Sequence, residues 1–253
     1  IGVGGEQLEP VSPLPDAVEP GPARAADDAE AEQDQPAQRH PGSDIGNLEI
    51  FGYDTRVHYT GRSPLEAASM GVDLGADGIA FRLNTIHRDG DTLVDYSAGH
   101  ISTEEARELV QAIAAGLGRS DLRFYPGVGY RHLLVFDHGP EELVSYPPHD
   151  IMGQSIAAHL PSGPGEGSIR QLMERAEPIL AEHPVNLARA ERGETTANAI
   201  WLWGSGRALR LESLESKFGF CGGVISAVDL VRGIGHSAGL EVVEVPGITG
   251  YLD

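Results

Sequence analysis

Apolar residues recur at helical spacing in two long segments of the chain. Residues 102–118, STEEARELVQAIAAGLG, predict an amphipathic helix with Ser102 as its N-cap. Its apolar stripe consists of Ala106, Leu109, Val110, Ile113 and Leu117. Residues 167–183 predict a second helix that bends or restarts at Pro178. A shorter helix is expected at residues 63–71, where Ser63 is a candidate cap.

Runs of apolar residues around turn signals predict strands in the same part of the chain. IAFRLNTI (79–86) and TLVDYSA (92–98) flank Asp89-Gly90, a pair typical of a hairpin turn. Residues 122–139 predict two further strands around a glycine-rich turn. The pattern therefore indicates antiparallel hairpins in the middle of the chain.

After residue 195 the pattern changes to an alternation of strands and helices. Strands are expected at NAIWLWG (198–204), GGVIS (222–226) and LEVVEVPG (240–247), with helices at 211–219 and 227–239. Alternation of this kind favours parallel βαβ units. Hairpins in the middle and βαβ units at the end predict one domain inserted into another.

Residues 1–40 have a different composition. They are rich in proline, contain the acidic tract AADDAEAEQDQ and have no Phe, Tyr or Trp. Such a segment buries too little apolar surface to offset the entropy of ordering, so we expect it to be disordered or aberrant.

The charge excludes some partners. Asp and Glu total 38 against 18 Lys and Arg, a net charge of −20, which disfavours nucleic acid and anionic membranes. No run of 18 apolar residues predicts a membrane span, and the single Cys221 fits a reducing, cytoplasmic location.

Lys217 is the only lysine beside 17 arginines. This composition indicates adaptation to high salt, a GC-rich genome, or both.

Ser43 follows the turn Pro41-Gly42 at an expected helix start. One interpretation is a simple N-cap. The other is a nucleophile, because the amides and positive dipole end of a helix N-terminus stabilise a phosphate. A serine nucleophile needs a base or a metal ion, and no base is evident nearby in the sequence.

Several long strings carry a resemblance to a known family: PGSDIGNLEIFGYD, YTGRSPLEAASMGVDLGADGIAFRLN, DYSAGHISTEEARELV, GYRHLLV, NAIWLWGSG and GGVISAVDLVRGIGHSAGLEVVEVPGITGYLD. They resemble, in order, the archaeal-type 2,3-bisphosphoglycerate-independent phosphoglycerate mutases of the alkaline phosphatase superfamily. The resemblance implies an α/β fold with a mostly parallel, partial metal-binding core at 41–78 and 197–253. It also implies a smaller α/β domain inserted at 79–196 that closes over the substrate.

The resemblance also implies the roles of individual residues. Ser43 matches the nucleophile that accepts the phosphoryl group and binds one of two divalent ions. The substrate contacts expected from it are His100, Arg131, Lys217, Arg82 and Arg207. For Arg131 we prefer a substrate role over its neighbour His132, since strand alternation sends the two side chains to opposite faces. Arg82 has the alternative of an outward strand residue, and Lys217 that of an incidental surface residue.

The implied function is interconversion of 3-phosphoglycerate and 2-phosphoglycerate in glycolysis and gluconeogenesis, through a phosphoserine. Two Mn²⁺ or Mg²⁺ ions are expected, and 2,3-bisphosphoglycerate is not. Residues 1–40 lack the family's Asp-Gly motif, and the later Asp and His ligands do not appear before Asp253, so most metal ligands are expected to be absent from this chain. A small-molecule substrate is the expected partner, and a homo-oligomer is compatible with the sequence. The alternatives are an inactive fragment and a related phosphotransferase of the homoserine kinase type.

Overall fold

The computed structural model describes residues 42–246 and confirms a mixed α/β fold. Its helices are α1 (Ser43–Ile50), α2 (Thr55–His58), α3 (Ser63–Ser69), α4 (Thr103–Leu117), α5 (Glu166–Ala181), α6 (Pro184–Glu191), α7 (Leu214–Phe218) and α8 (Asp229–Ser237). Its strands are β1 (Gly78–Asp89), β2 (Thr92–Asp95), β3 (Leu122–Tyr125), β4 (Arg131–Asp137), β5 (Ala199–Gly206), β6 (Gly223–Val224) and β7 (Glu241–Val242). The expectation of disorder in residues 1–40 falls outside the described residues.

Strand β1 organises a five-stranded antiparallel sheet. It pairs with β4, which places Asn84 opposite Arg131, and with β5, which places Arg82 opposite Trp203. The predicted hairpin is confirmed, because β1 turns into β2 with Asp89 opposite Thr92 and Gly90 at a positive φ of 54°. Strand β3 completes the sheet beside β4.

Helices α4 and α5 pack on one face of this sheet and form the larger core. The predicted stripe of α4 is confirmed, because its five apolar residues are all buried. Ser102 caps the helix by accepting a hydrogen bond from the amide of Glu105. Helix α5 runs through Pro178 to Ala181. Among the described residues, no helix has the length and apolar character needed to cross a membrane.

Strands β6 and β7 form a separate parallel pair joined by helix α8. This βαβ unit confirms the pattern predicted for the end of the chain. Helix α8 packs on α3 at Gly233, where a β-carbon would overlap the carbonyl oxygen of Leu65. The close approach explains a glycine inside a helix.

Two sequence expectations differ from the structure in detail. The N-cap position of α3 is Arg62, and Ser63 is the first helical residue. Ser63 is buried because its hydroxyl accepts from the Arg82 amide at 2.6 Å and donates to the Trp203 carbonyl at 3.2 Å. The strand expected to belong to the βαβ region, β5, joins the antiparallel sheet instead. A continuous apolar run indicates a buried strand but not its partner.

The described residues contain two main apolar clusters. The larger one lies within residues 79–203, and the smaller one combines residues 48–65 with 214–238. A third cluster joins Ala67 and Leu74 to Ala80, Leu133 and Val135, across the expected boundary between a core at 41–78 and 197–253 and an insert at 79–196. The division itself stays a prediction.

Candidate active site

Ser43 is the first residue of α1 and is exposed. The N-cap is Gly42, with extended backbone at φ −80° and ψ 174°, and no side chain caps the helix. The cap interpretation of Ser43 is therefore wrong. Its hydroxyl lies beside the amide end of an eight-residue helix, where the helix dipole favours negative charge.

The next residue, Asp44, already places a negative charge at this helix end. Its carboxylate is buried, accepts a hydrogen bond from the Tyr59 hydroxyl and lies against Gly42. A phosphate on Ser43 would therefore lie beside a carboxylate, which is repulsive unless cations are close. Tyr59 lies three residues before Arg62 in the chain, and Arg62 belongs to the group of arginines described in the next paragraph.

Three arginines and a tryptophan form what we call the arginine cluster, together with Glu66 of α3. Its members are Arg62 at the N-cap of α3, Arg82 on β1, Arg131 on β4 and Trp203 on β5. The guanidinium groups of Arg62 and Arg82 lie 5.7 and 5.6 Å from the centroid of the Trp203 ring. Both pair with the buried Glu66, Arg62 through Nε at 3.1 Å to Oε1 and Arg82 through Nη1 to Oε2. The Glu66 carboxylate thus forms ion pairs with both Arg62 and Arg82.

Arg82 is the most buried of these cations, with 4% of its surface exposed. The alternative of an outward strand residue is therefore wrong. Burial lowers the pKa of Arg82 to about 9, and the charges of Arg62 and Arg131 act in the same direction. Its Nε is buried without a hydrogen-bond partner among the described residues. The guanidinium therefore has one buried donor without a partner, and it shares the Glu66 carboxylate with Arg62.

Arg131 and His132 lie on opposite faces of β4, as strand alternation predicts. Arg131 is half-exposed, 3.7 Å from Asp229, and its guanidinium lies 5.9 Å from the Tyr130 ring centroid. His132 is buried and accepts a hydrogen bond at Nδ1 from the Gly127 amide. Burial, followed by the charges of Arg82 and Arg131, lowers the pKa of His132 to about 3, so its ring is neutral.

An aromatic row that the sequence did not reveal borders the arginine cluster. Tyr130 contacts Tyr96 edge-on at 5.4 Å, Tyr96 contacts His149 at 6.0 Å, and His149 contacts Trp203 at 6.0 Å. No local spacing connects these residues, because they meet only through the folding of distant segments.

His100 lies on a loop whose backbone has an unusual conformation. Ala98, Gly99 and His100 all have positive φ, at 50°, 70° and 50°. Asp95 holds this loop by accepting hydrogen bonds at 2.7 Å from the amides of Ser97 and Gly99. Consecutive residues in this region of φ are strained and recur at functional sites. The exposed imidazole of His100 is thus presented from a fixed loop.

Two predicted contacts have other partners in the structure. Lys217 donates to the Gly52 carbonyl and lies 4.6 Å from the Tyr53 ring centroid, beyond the end of α1 opposite Ser43. Arg207 pairs with Glu141 at 2.7 Å. The β1–β4 register places Arg82 and Arg131 on the same face of the sheet, and the charge of Arg131 acts on Arg82. Ser43, His100, Lys217 and Arg207 lie on separate segments. Their substrate roles stay predictions.

Comparison with known proteins identifies the family. A family model for 2,3-bisphosphoglycerate-independent phosphoglycerate mutase matches residues 33–186. The probable mutase of this type from Geobacter sulfurreducens is 55% identical over 217 residues, which cover 84% of this chain and 54% of the relative. The chain belongs to this phosphoglycerate mutase family. The mutase of Methanosarcina acetivorans is 49% identical, with the same coverage of both chains.

Solved structures agree with the family assignment. The cofactor-independent phosphoglycerate mutase of Thermoplasma acidophilum aligns with a TM-score of 0.55 and 26% identity over 81% of this chain and 57% of that one. The PH0037 protein of Pyrococcus horikoshii aligns with a TM-score of 0.60 and 25% identity over 83% and 49%. This chain therefore spans about half the length of the phosphoglycerate mutases it matches. These names do not favour the homoserine kinase or inactive-fragment alternatives.

The donor groups of the described residues do not fit the metal centre expected for a phosphoglycerate mutase. The family is metal-dependent. Residues 42–246, however, contain no group of three or more His, Cys, Asp or Glu side chains able to hold a metal ion. Asp44, the residue that follows Ser43, has a carboxylate that accepts a hydrogen bond from the Tyr59 hydroxyl. A serine and one carboxylate are too few ligands for a divalent ion.

Proposed function

We propose that, in the whole protein, this chain supplies the phosphoryl acceptor and the anion-binding residues of an isomerase. The enzyme interconverts 3-phosphoglycerate and 2-phosphoglycerate, a reaction of glycolysis and gluconeogenesis. Family membership supports the reaction class. Activity is assigned to the whole protein because the chain covers 54% of its curated relatives.

The observation that carries the proposal is the arginine cluster. Phosphoglycerate has a carboxylate at one end and a phosphate at the other, and guanidinium groups bind both through paired hydrogen bonds. Arg82 offers a buried Nε donor, while Arg131 is half-exposed at the edge of the cluster. Trp203 is buried beside Arg62 and Arg82, and the aromatic row borders the cluster. Such a surrounding strengthens the attraction between a guanidinium and an anion.

Ser43 is the proposed phosphoryl acceptor. Tyr59, which contacts Asp44, is three residues from Arg62, a span of roughly 10 Å at full extension. The Ser43 hydroxyl attacks phosphorus, the bond to the C3 oxygen breaks, and the serine proton ends on that oxygen. The C2 hydroxyl of the reoriented glycerate then attacks the phosphorus, the bond to Ser43 Oγ breaks, and the C2 hydroxyl proton ends on Ser43 Oγ. His100, Lys217 and Arg207 are proposed to contact the substrate during this transfer.

Metal ions belong to this proposal only at the level of the whole protein. We expect two divalent ions, Mn²⁺ or Mg²⁺, because the family is metal-dependent. The described residues lack a suitable ligand group, and no step above passes through a metal. A cytoplasmic location completes the proposal.

The first test measures binding of 3-phosphoglycerate to this chain by calorimetry. Arg131→Gln is expected to weaken binding by about tenfold or more, the loss of one charged hydrogen-bonded contact. Arg119→Gln is the matched control, because Arg119 is a half-exposed arginine whose partner is Asp121 at 2.8 Å. No binding by the unmodified chain, or equal loss in both variants, contradicts the proposed site.

The second test addresses turnover. A chimera joins this chain to the part of the Geobacter sulfurreducens mutase that lies outside the matched region, and ³¹P NMR follows conversion of 3-phosphoglycerate with Mn²⁺. Ser43→Ala is expected to abolish conversion and to leave the affinity for 3-phosphoglycerate unchanged. Conversion by the alanine variant would reject Ser43 as the acceptor.

A further inference from the structure

A buried arginine that the proposed function does not use holds the His100 loop, which we define as residues 95–100. Arg189 of α6 is 5% exposed, and its guanidinium donates a hydrogen bond to the Ala98 carbonyl at 3.1 Å. It also donates to the Thr195 carbonyl at 2.8 Å and pairs with Glu105 in the first turn of α4. One guanidinium therefore connects α4, α6 and the segment after α6 to the loop.

The contacts of Arg189 explain how the His100 loop keeps its backbone conformation. Ala98 and His100 have positive φ, which is disfavoured for a residue with a β-carbon, so surrounding contacts must stabilise it. Gly99 lies so close that a β-carbon there would come within 3.2 Å of Arg189 Nη2 and 2.8 Å of Thr195 Cβ. Arg189 thus supports the two residues that directly precede His100.

The His100 loop also lies against the segment that leads into β4. The Tyr96 ring contacts the Tyr130 ring edge-on at 5.4 Å, and the residue after Tyr130 is the β4 arginine of the arginine cluster. A second contact joins the same region, because the Thr103 hydroxyl accepts a hydrogen bond from the Gly129 amide at 3.0 Å. These contacts place the loop beside a member of the cluster.

We propose that Arg189 is a positioning residue for the phosphoglycerate reaction, which holds the His100 loop so that the imidazole contacts substrate bound at the arginine cluster. This role rests on the proposed function, in which His100 contacts phosphoglycerate. Arg189 acts through His100, because its own side chain is 6% exposed and is bonded to Ala98, Thr195 and Glu105. A loop that is already ordered spares the substrate the entropy of ordering it, which increases affinity.

The first test measures whether Arg189 holds the loop. Amide hydrogen exchange is followed by NMR on the ¹⁵N-labelled chain, in which the amides of Gly99 and His100 are both hydrogen-bonded within the loop. Arg189→Gln is expected to raise the exchange rate of these two amides about tenfold or more, because the Ala98 carbonyl loses a charged donor. The amide of Leu134, which is buried in β4, should exchange as in the unmodified chain.

Arg192→Gln is the matched control. Arg192 shares the Glu105 carboxylate with Arg189, at 3.0 Å, and its other partner is Glu194 at 2.7 Å, outside the loop. Its substitution should leave the exchange of the two loop amides unchanged. Arg189→Lys serves where the glutamine variant does not fold, because lysine keeps a charge beside Glu105 but lacks the planar fork that reaches several acceptors. Its effect should have the same sign and a smaller size.

The second test measures whether Arg189 acts on the substrate through His100. Calorimetry with 3-phosphoglycerate compares Arg189→Gln, His100→Ala and the double variant. His100→Ala is expected to weaken binding about fivefold, the loss of one hydrogen bond, and Arg189→Gln by the same factor or less. The double variant should bind no more weakly than His100→Ala, because residues that act through one another are not additive. A purely structural role of Arg189 would add its own loss.

Three results overturn this role of Arg189. The first is loop exchange that Arg189→Gln and Arg189→Lys leave unchanged, or that rises equally at Leu134. The second is an Arg189 variant that binds 3-phosphoglycerate as the unmodified chain does while His100→Ala binds it more weakly. The third is losses of affinity that add in the double variant. Failure of the proposed function is distinct, because it appears as no binding by the unmodified chain or as unchanged binding in His100→Ala.

Discussion

Burial acts on Arg82 and His132 in the same direction but leaves them in different charge states. It lowers the pKa of Arg82 to about 9, so the guanidinium stays charged at neutral pH and pairs with Glu66. It lowers the pKa of His132 to about 3, so the imidazole stays neutral. The different ordinary pKa values of the two side chains decide the result. Of these two side chains, only Arg82 therefore carries the positive charge that binding an anion requires.

His132 gives a prediction for stability against pH. In the unfolded chain its pKa returns to about 6.5, so between that pH and about 3 the unfolded state binds a proton that the folded state does not. The free energy of unfolding should fall as pH decreases through this window, by up to about 1.4 kcal/mol per pH unit. In His132→Asn, whose side-chain oxygen can accept from the Gly127 amide, urea titrations between pH 7 and 4 should show a shallower decline.

The control for this prediction is His138→Asn. His138 is exposed and has a positive φ of 57°, a conformation that asparagine tolerates. It should leave the decline with acid unchanged. If the free energy of unfolding of His132→Asn falls with acid as steeply as that of the unmodified chain, then carboxylates, rather than this buried imidazole, cause the loss of stability in acid.

At the scale of elements, local sequence patterns predicted whether a segment forms a helix or a strand better than they predicted which strands pair with each other. The helix at 102–118 and the hairpin at Asp89-Gly90 were predicted correctly, because caps, stripes and turns are set by neighbouring residues. Strand β5 was assigned to the wrong sheet, because an apolar run does not specify which strand lies beside it. The cap of α3 was misassigned because Ser63 bonds to two strands that are distant in sequence.

The contact between α3 and α8 gives a prediction at this scale. Gly233 allows the α8 backbone to approach Leu65, so Gly233→Ala must push the helices apart. We expect it to lower the free energy of unfolding by about 1–3 kcal/mol, the usual cost of overpacking. Gly167→Ala in α5 is the matched control, since open space surrounds that exposed glycine. Urea denaturation should show a stabilised or unchanged control, and equal losses in both variants would contradict the packing explanation.

At the scale of the whole molecule, the sequence predicted members of the candidate site but not its assembly. Arg82 and Arg131 were chosen from motifs, and β1–β4 pairing brings their strands together. Glu66, which binds Arg62 and Arg82, gave no signal, because a glutamate in a helix is ordinarily exposed. Sites formed by distant segments depend on strand register, which composition and spacing do not supply.

The net charge of −20 belongs to this scale as well, and its two explanations make different predictions. We propose that it is an adaptation to salt. In that case repulsion between carboxylates should weaken as the Debye length shortens from about 10 Å at 0.1 M to about 3 Å at 1 M. The melting temperature should then rise over this range of KCl. A melting temperature that rises in sucrose but not in KCl would not support adaptation to salt, because excluded osmolytes stabilise folded proteins in general.

A charge variant connects the salt effect to its cause. Glu108 and Glu174 are exposed on α4 and α5, and Glu108→Gln with Glu174→Gln removes two negative charges without altering the core. If repulsion destabilises the fold, this double variant should melt at a higher temperature than the unmodified chain in 0.1 M KCl and at a similar temperature in 1 M KCl, where the Debye length is about 3 Å. Scanning calorimetry at both salt concentrations measures this difference. A melting temperature that is independent of salt in both proteins would instead favour genome composition as the origin of the acidic, arginine-rich sequence.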